Sequence, residues 1–100
     1  MLDFYADWCA PCRRVSPLLA ELAHEFEGKV RLVRVDVDTN SAMADRHQVY
    51  SLPTVILLRN KRELDRMVGA KSKAQYRAAI IKSFKKNQSS SIGKREIATR

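Results

Sequence analysis

Residues 3–19 read DFYADWCAPCRRVSPLL, and the change of pattern along this stretch decides the fold. Residues 2–6 are apolar or aromatic except for Asp3, which predicts a strand. Over residues 11–26 the apolar side chains recur at steps of three and four, which predicts a helix with one buried face. A proline suits the first turn of a helix, where its missing N–H leaves no bond unmade. A strand that leads directly into a helix is therefore expected, with the sequence WCAPC at the junction.

The middle of the chain repeats this alternation. Residues 30–37 are rich in β-branched side chains and predict a second strand. A turn and a short helix to about His47 follow. Residues 54–58 form a short apolar run that suits a buried strand, and residues 63–68 are expected to return beside it as a hairpin.

A capping box opens the last helix, because Ser72 is followed three residues later by Gln75. The helix is expected to run to Phe84. Its predicted buried stripe consists of Tyr76, Ile80, Ile81 and Phe84.

The element order β-α-β-α-β-β-α predicts an α/β fold. A strand–helix–strand crossover makes its two strands parallel, and the later hairpin adds antiparallel neighbours. We therefore expect a mixed four-stranded sheet flanked by helices.

Composition sets the domain organisation. One hundred residues, 45% of them apolar, are enough for a single packed domain, which we assign to residues 1–84. Residues 85–100 are polar and serine-rich and predict a flexible basic tail. The net charge is +8, and residues 82–100 contribute six lysines or arginines against one acid.

This charge distribution raises the question of partners. A basic tail can contact nucleic acid or acidic lipid. No aromatic residue lies among its later basic residues to stack on a base, so nucleic acid is not expected and a solvated tail is favoured. No apolar run approaches the length of a membrane span, and no signal peptide is visible. A cytoplasmic, monomeric protein without membrane contact is the expectation.

Cys9 and Cys12 are the only cysteines, and their spacing allows a structural staple, a metal site or a redox pair. At the start of a helix, Cys9 would lie near unpaired N–H groups and the positive end of the helix dipole, which favours the reactive thiolate. Cys12 lies one turn later, within disulfide reach. A ring this short constrains the unfolded chain little, so a reversible dithiol is favoured over a staple.

No metal site is predicted. His24 lies inside the first helix and His47 beyond a turn, without the paired ligand spacing of a zinc site. Residues 36–47 open like a calcium loop but lack its glycine and its final glutamate.

Asp3 is the candidate acid/base for this dithiol. Apolar residues surround it in the predicted strand, and burial would raise the pKa of its carboxyl towards the working pH. It could then take a proton from Cys12. The alternative is that Asp3 faces water at a strand edge.

These residues resemble the thioredoxin family. The resemblance rests on DFYADWCAPCRRVSPLL and continues through VRVDVDTN, VYSLPTVILL and MVGA, and it covers about residues 1–81. It implies a thioredoxin-like fold and protein-disulfide reductase activity. Cys9 would be the attacking cysteine, Cys12 the resolving cysteine and Asp3 the buried acid that assists it.

The resemblance also implies a substrate surface. Pro53 matches a proline that follows a cis peptide bond and faces the dithiol, and Arg34 falls where a lysine often lies near the buried acid. The matching apolar surface comprises Trp8, Ala10, Pro11, Leu52, Pro53, Gly69 and Ala70. The implied partners are disulfide-containing proteins and a reductase such as thioredoxin reductase, and no cofactor is expected.

One departure from the family pattern concerns the start of the chain. Family members usually begin with a further strand and helix, and without these the strand at 30–37 is expected at the edge of the sheet. Two other functions stay open. One is a thioredoxin-fold docking module with a basic tail and little redox turnover, and the other is a disulfide oxidase or isomerase in an oxidising compartment.

Overall fold

The computed structural model describes the backbone of residues 1–98 and the side chains of residues 1–85. The elements follow in the order β1 (Leu2–Tyr5), α1 (Ala10–Glu25), β2 (Val33–Asp36), α2 (Ser41–Arg46), β3 (Thr54–Arg59), β4 (Arg62–Val68) and α3 (Lys73–Ala98). The predicted β-α-β-α-β-β-α order is confirmed.

The strands form one four-stranded sheet in the order β2-β1-β3-β4. β1 and β2 are parallel, whereas β1 pairs with β3 and β3 with β4 in antiparallel fashion. This is the mixed sheet that the sequence predicts. Within the described residues β2 lies at one edge of the sheet, as expected.

Helices cover both faces of the sheet. Because neighbouring side chains of a strand point to opposite faces, Val55 of β3 packs in a core cluster with α1 and α3, while Ile56 packs in a second cluster with α2. In β1 the same alternation sends Phe4 towards α2. Asp3 therefore faces α1, the helix that begins at the two cysteines.

The second strand is shorter than the predicted range 30–37. β2 begins only at Val33 and ends at Asp36. Gly28 has a positive φ of 88°, and the N–H groups of Lys29 and Val30 both donate to the carbonyl of Phe26. These bonds close a turn after α1. Val30 then packs against the core without joining the sheet, so its apolar character reflects burial rather than strand pairing.

The predicted hairpin is confirmed, with Asn60 and Lys61 at its turn. Both have positive φ angles, 52° and 68°, as a tight two-residue hairpin turn requires, although neither is a glycine. The pairing shifts register next to this turn. Leu57 pairs with Asp65 but Leu58 pairs with Glu63, so β4 contains one more residue than β3 over this interval.

The capping box of α3 is confirmed. Gln75 N–H donates to Ser72 Oγ at 3.1 Å, and Ser72 N–H donates to Gln75 Oε1 at 2.9 Å. The prediction that Ile81 is buried is wrong, since it is 40% exposed. It lies one position, about 100° around the helix, beyond the fully buried Ile80.

The last helix also extends beyond its predicted end at Phe84, since α3 runs to Ala98. The predicted flexibility of residues 85–100 stays a prediction, because all but the first of its side chains lie outside the described residues. No helix in the part of the chain that the structure describes is long and apolar enough to span a membrane.

Candidate active site

Cys9 and Cys12 form a disulfide at the start of α1, with their Cα atoms 5.3 Å apart. Cys9 is the N-cap residue in an extended conformation, and its Sγ accepts a hydrogen bond from the backbone N–H of Cys12 at 3.3 Å. Pro11 occupies the first turn, as predicted. The expected position of the Cys9 sulfur, beside the free N–H groups of a helix N-terminus, is therefore confirmed.

An open groove of about 450 Å³ lies beside Cys9. Its walls are uncharged. They consist of Trp8, Cys9, Ala10, Pro11, Val37, Ala44, Val49, Tyr50, Ser51 and Leu52. Four of the seven residues predicted for the substrate surface, namely Trp8, Ala10, Pro11 and Leu52, are in this set.

Two aromatic side chains in the groove wall are unusually exposed, Trp8 at 69% and Tyr50 at 85%. The indole Nε1–H of Trp8 donates to Asp38 Oδ2 at 3.0 Å, which fixes one edge of the ring. Apolar rings left open beside a disulfide suit contact with another molecule.

The other three predicted surface residues lie outside these walls. The peptide bond between Leu52 and Pro53 is cis, as expected, and Pro53 is fully buried. Gly69 donates its N–H to the Pro53 carbonyl at 2.8 Å, and its φ of +88° suits glycine. Ala70 is exposed next to it. The bond between Gly69 and Pro53 therefore holds the end of the loop that carries Leu52.

Asp3 is buried, with 1% exposure, so the alternative of a water-facing carboxylate is wrong. Its Oδ2 accepts a hydrogen bond from Ser16 Oγ at 3.4 Å and lies 3.5 Å from Arg34 Nε. Its Oδ1 has no hydrogen-bond partner among the described residues. Desolvation raises the pKa of the Asp3 carboxyl, and Arg34 and Ser16 oppose part of that rise.

Asp3, Ser16 and Arg34 form an acid cluster, and the register of the sheet explains why they meet. Asp3 and Arg34 are direct partners in the parallel β1–β2 pair, so Arg34 lies near the buried acid, as the resemblance implied. The Arg34 guanidinium lies 3.9 Å from the centre of the Tyr5 ring, and its Nη2 donates to Ser16 Oγ at 3.0 Å. Ser16 is one turn beyond Cys12 on α1. The acid cluster thus contacts the same face of the helix that begins at the dithiol.

Sequence reasoning missed several of these residues. In the groove they are Val37, Ala44, Val49, Tyr50 and Ser51, and in the acid cluster the missed residue is Ser16. A helical step of four from Cys12 could have indicated Ser16. Tyr50 gave a weaker signal, an isolated aromatic residue three positions before Pro53.

The chain was compared with known proteins. The thioredoxin family model matches residues 1–82. The chain belongs to the thioredoxin family. A thioredoxin of Haemophilus influenzae is 45% identical over 75 residues, which are 75% of this chain and 70% of that protein.

Two further relatives illustrate the range of the family. A bifunctional thioredoxin reductase/thioredoxin of Mycobacterium leprae is 46% identical over 74 residues, but these are 74% of this chain and only 16% of that protein. The X-ray structure of Fasciola hepatica thioredoxin superposes with a TM-score of 0.76 at 35% identity, covering 82% of this chain and 77% of that one. Family membership and the Cys9–Cys12 pair together identify a thiol–disulfide oxidoreductase.

Neither histidine is among the residues that line the groove beside Cys9. His24 is on the surface of α1, with Nδ1 3.6 Å from Glu27 Oε1, and the His47 ring lies 5.8 Å from the Phe4 ring. Within residues 1–85, whose side chains are described, no cluster of three or more histidine, cysteine or acidic side chains is arranged to hold a metal ion.

Proposed function

We propose that this protein reduces disulfide bonds in other proteins, with Cys9 and Cys12 cycling between dithiol and disulfide. The observation that carries the proposal is the position of this pair, bonded at the N-terminus of α1 with Cys9 in the wall of an open, uncharged groove. Family membership supports the same reaction class.

The first step is attack by the Cys9 thiolate on one sulfur of a substrate disulfide. A bond forms between Cys9 Sγ and that sulfur, the substrate S–S bond breaks, and the other substrate sulfur leaves as a thiolate that takes a proton from water. The helix N-terminus favours the attacking thiolate.

In the second step Cys12 resolves this mixed disulfide. Cys12 gives its proton to the Asp3 carboxylate and attacks Cys9 Sγ, which releases the second substrate thiolate. That thiolate is protonated in turn. Two electrons have then passed from the dithiol to the substrate, and the Cys9–Cys12 disulfide is the oxidised product. The buried Asp3, with a raised pKa, supports its assignment as the base for this step.

The substrate segment is proposed to lie in the groove against Trp8 and the backbone of Leu52. An extended segment could pair in β-fashion with the backbone of Leu52, which borders the groove. The uncharged walls favour apolar side chains around the substrate disulfide.

A second enzyme must return the two electrons, and we propose a reductase of the thioredoxin reductase type. The Mycobacterium leprae relative, named a bifunctional thioredoxin reductase/thioredoxin, supports this partner. We also propose that the protein works in a reducing compartment, the cytoplasm. Reduction of substrates requires a dithiol that is kept reduced. A monomer would leave the groove open to its substrates.

The test is the reduction of insulin by dithiothreitol, followed by the turbidity of the released chains. Wild-type protein should accelerate the reaction, and Cys9→Ser should lose the acceleration because the attacking sulfur is gone. Equal rates for the two proteins would refute the proposal. Cys12→Ser should instead trap mixed disulfides with substrates, and recovering none would contradict the assigned roles.

A further inference from the structure

The loop between α2 and β3 carries Tyr50 and Leu52 into the groove wall. It starts from a tightly closed helix end. Gln48 N–H donates to the Asp45 carbonyl at 3.0 Å, and Val49 N–H donates to the Ala44 carbonyl at 2.9 Å. This pair of bonds is the Schellman arrangement, which requires a left-handed residue after the helix.

That left-handed residue is Gln48, whose φ is +55°. A side chain in this conformation is strained by about 1–2 kcal/mol relative to the right-handed region. Glycine is the usual residue at this position of a helix end. A non-glycine residue keeps the left-handed conformation when surrounding contacts stabilise it.

Arg66 of β4 supplies such bonds. Its Nη2 donates to the His47 carbonyl at 2.6 Å, and its Nη1 donates to the Gln48 carbonyl at 3.0 Å. Its Nε and Nη2 also donate to the two carboxylate oxygens of Glu63, both at 2.9 Å. One planar guanidinium thus joins the end of α2 to β4, with Glu63 fixing its orientation.

The register shift in β4 makes this arrangement possible. Glu63 and Arg66 are three residues apart, and in a regular strand an odd spacing puts side chains on opposite faces. The additional residue that β4 contains between Glu63 and Asp65 reverses this alternation. Glu63 and Arg66 therefore share a face, and the carboxylate can bind the guanidinium.

The loop has open space on both sides. Tyr50 and Ser51 border the active-site groove, and they also border a second groove of about 500 Å³ that Glu63 and Arg66 line. Within the loop, Val49 and Leu52 pack against the core, and the Ser51 carbonyl accepts a hydrogen bond from Thr54 Oγ1 at 2.7 Å. The bonds of Arg66 add to these contacts by fixing the end of α2 from which the loop starts.

We propose that Arg66 is a positioning residue for the substrate loop, residues 47–52, and that it sets the affinity for protein substrates without touching the dithiol. This inference rests on the proposed reductase function. Arg66 is not part of the groove wall that contains Cys9. Its loss should loosen Tyr50 and Leu52 while leaving the sulfur chemistry unchanged.

The test compares Arg66→Ala and Arg66→Lys with wild type in the insulin assay and with a small disulfide, dithiobis(nitrobenzoate). For Arg66→Ala, the KM for insulin should rise about tenfold, the ratio that 1.4 kcal/mol represents. The kcat and the rate with the small disulfide should stay the same, because neither depends on the loop. Arg66→Lys should give an intermediate KM, since an ammonium cannot reproduce the guanidinium fork.

Arg77→Ala is the matched control. Arg77 on α3 makes a similar two-bond ion pair with Glu25 on α1, at 2.9 and 3.0 Å, away from the groove. Its removal should leave the KM unchanged. An Arg66→Ala KM that rises no more than that of Arg77→Ala would overturn the inference, as would an equal loss of rate with the small disulfide.

Hydrogen exchange separates this inference from the proposed function, because it does not depend on turnover. Amides of residues 47–52 should exchange faster in both Arg66 variants, while those of α1 stay as protected as in wild type. Unchanged exchange over 47–52 would refute the positioning role even if insulin is reduced. A further outcome is that wild-type protein fails to reduce insulin while hydrogen exchange over residues 47–52 still speeds up in the Arg66 variants. In that case the proposed function is refuted and the positioning role of Arg66 is retained.

Discussion

The two chemical centres beside α1 differ in polarity. Cys9 of the disulfide lies, 5% exposed, in the wall of an open groove whose residues carry no formal charge and include two exposed aromatic rings. The centre around Asp3 encloses a buried carboxylate, which the Ser16 hydroxyl and the partly exposed Arg34 guanidinium contact.

The difference follows from what each centre has to do. A disulfide exchange needs sulfur that another molecule can reach, and apolar walls bind protein segments at little desolvation cost. A base needs a proton affinity far from that of an ordinary carboxylate, and burial is the means by which Asp3 acquires it. Cys9 and Cys12 are themselves only 5% and 2% exposed, so access to the sulfur depends on the open groove beside Cys9. The acid depends on burial instead, and substitutions should affect the two centres in different ways.

The largest effect expected from changing one centre alone is that of Asp3→Asn on resolution of the mixed disulfide. An amide cannot take the Cys12 proton, so the step should slow about 100-fold at neutral pH, the lower end of what general acid–base catalysis contributes. Single-turnover release of substrate thiol measures it. The deficit should shrink as the pH rises, because hydroxide can increasingly take the Cys12 proton in place of Asp3.

Asp45→Asn is the matched control, because Asp45 is an exposed acid on α2. It should resolve the mixed disulfide at the wild-type rate. A pH-independent deficit in Asp3→Asn would show that Asp3 shapes the site without moving a proton.

The second expected effect of Asp3→Asn is a gain in stability. The pKa of Asp3 is raised by burial above its ordinary value of 3.8, so the folded protein keeps this proton to a higher pH than the unfolded chain does. Below the ordinary pKa of 3.8, ionisation of Asp3 therefore does not lower the free energy of unfolding. As the pH rises from there through the raised pKa, ionisation lowers the free energy of unfolding by an increasing amount. At pH 7 the amide should stabilise the fold by about 1–3 kcal/mol, the usual cost of an unsatisfied buried group.

Urea unfolding at pH 7 and at pH 3.5 measures this gain. The difference between Asp3→Asn and wild type should be present at the higher pH and nearly absent at the lower one. A gain of equal size at both pH values would mean that packing rather than charge is responsible.

The third prediction concerns the open centre, through Tyr50→Ala. Loss of this exposed ring should raise the KM for insulin by a factor of about two to ten, matching the 0.5–1.5 kcal/mol typical of an aromatic contact. Stability should change little, because the ring is 85% exposed. Ile81→Ala removes another exposed apolar side chain away from the groove and should leave the KM unchanged. Equal values for the two variants would exclude Tyr50 from the substrate surface.

Features that depend on local spacing were easier to predict from sequence than contacts that cross the sheet. Cys9, Pro11 and the reciprocal cap of Ser72 and Gln75 depend on spacings within one turn of a helix, which a sequence displays directly. The resemblance to thioredoxins added the residues around Pro53.

Contacts across the sheet were harder to predict, because they depend on register. Ser16 meets Arg34 across 18 positions, and Arg66 meets His47 across 19. The pairing of Glu63 with Arg66 depends on a register shift that reverses the side-chain alternation, and the local sequence carries no clear signal of it. The exposure of Ile81 shows the same limit in α3, since one helical position separates a buried side chain from an open one.

The smallest expected effect is that of Ser16→Ala, which tests whether the enclosed centre is tuned by its neutral member. Its hydroxyl donates to Asp3 Oδ2 and lowers the pKa of that carboxyl, so its loss should raise this pKa further. Asp3 must be ionised to accept the Cys12 proton. The acid limb of the rate of mixed-disulfide resolution should therefore move to higher pH, with a loss of a few-fold at neutral pH, about 0.5–1 kcal/mol.

Ser16→Thr keeps the hydroxyl and should restore the wild-type pH profile, which a purely structural role would not require. Ser83→Ala is the matched control, because it removes a buried hydroxyl whose partner is the Ile80 carbonyl on α3. It should leave the profile in place even if it lowers stability. If the pH profile moves equally in Ser16→Ala and Ser83→Ala, the pKa of Asp3 responds to general loosening of the core. Burial alone, and not the Ser16 hydroxyl, would then distinguish the acid centre from the groove.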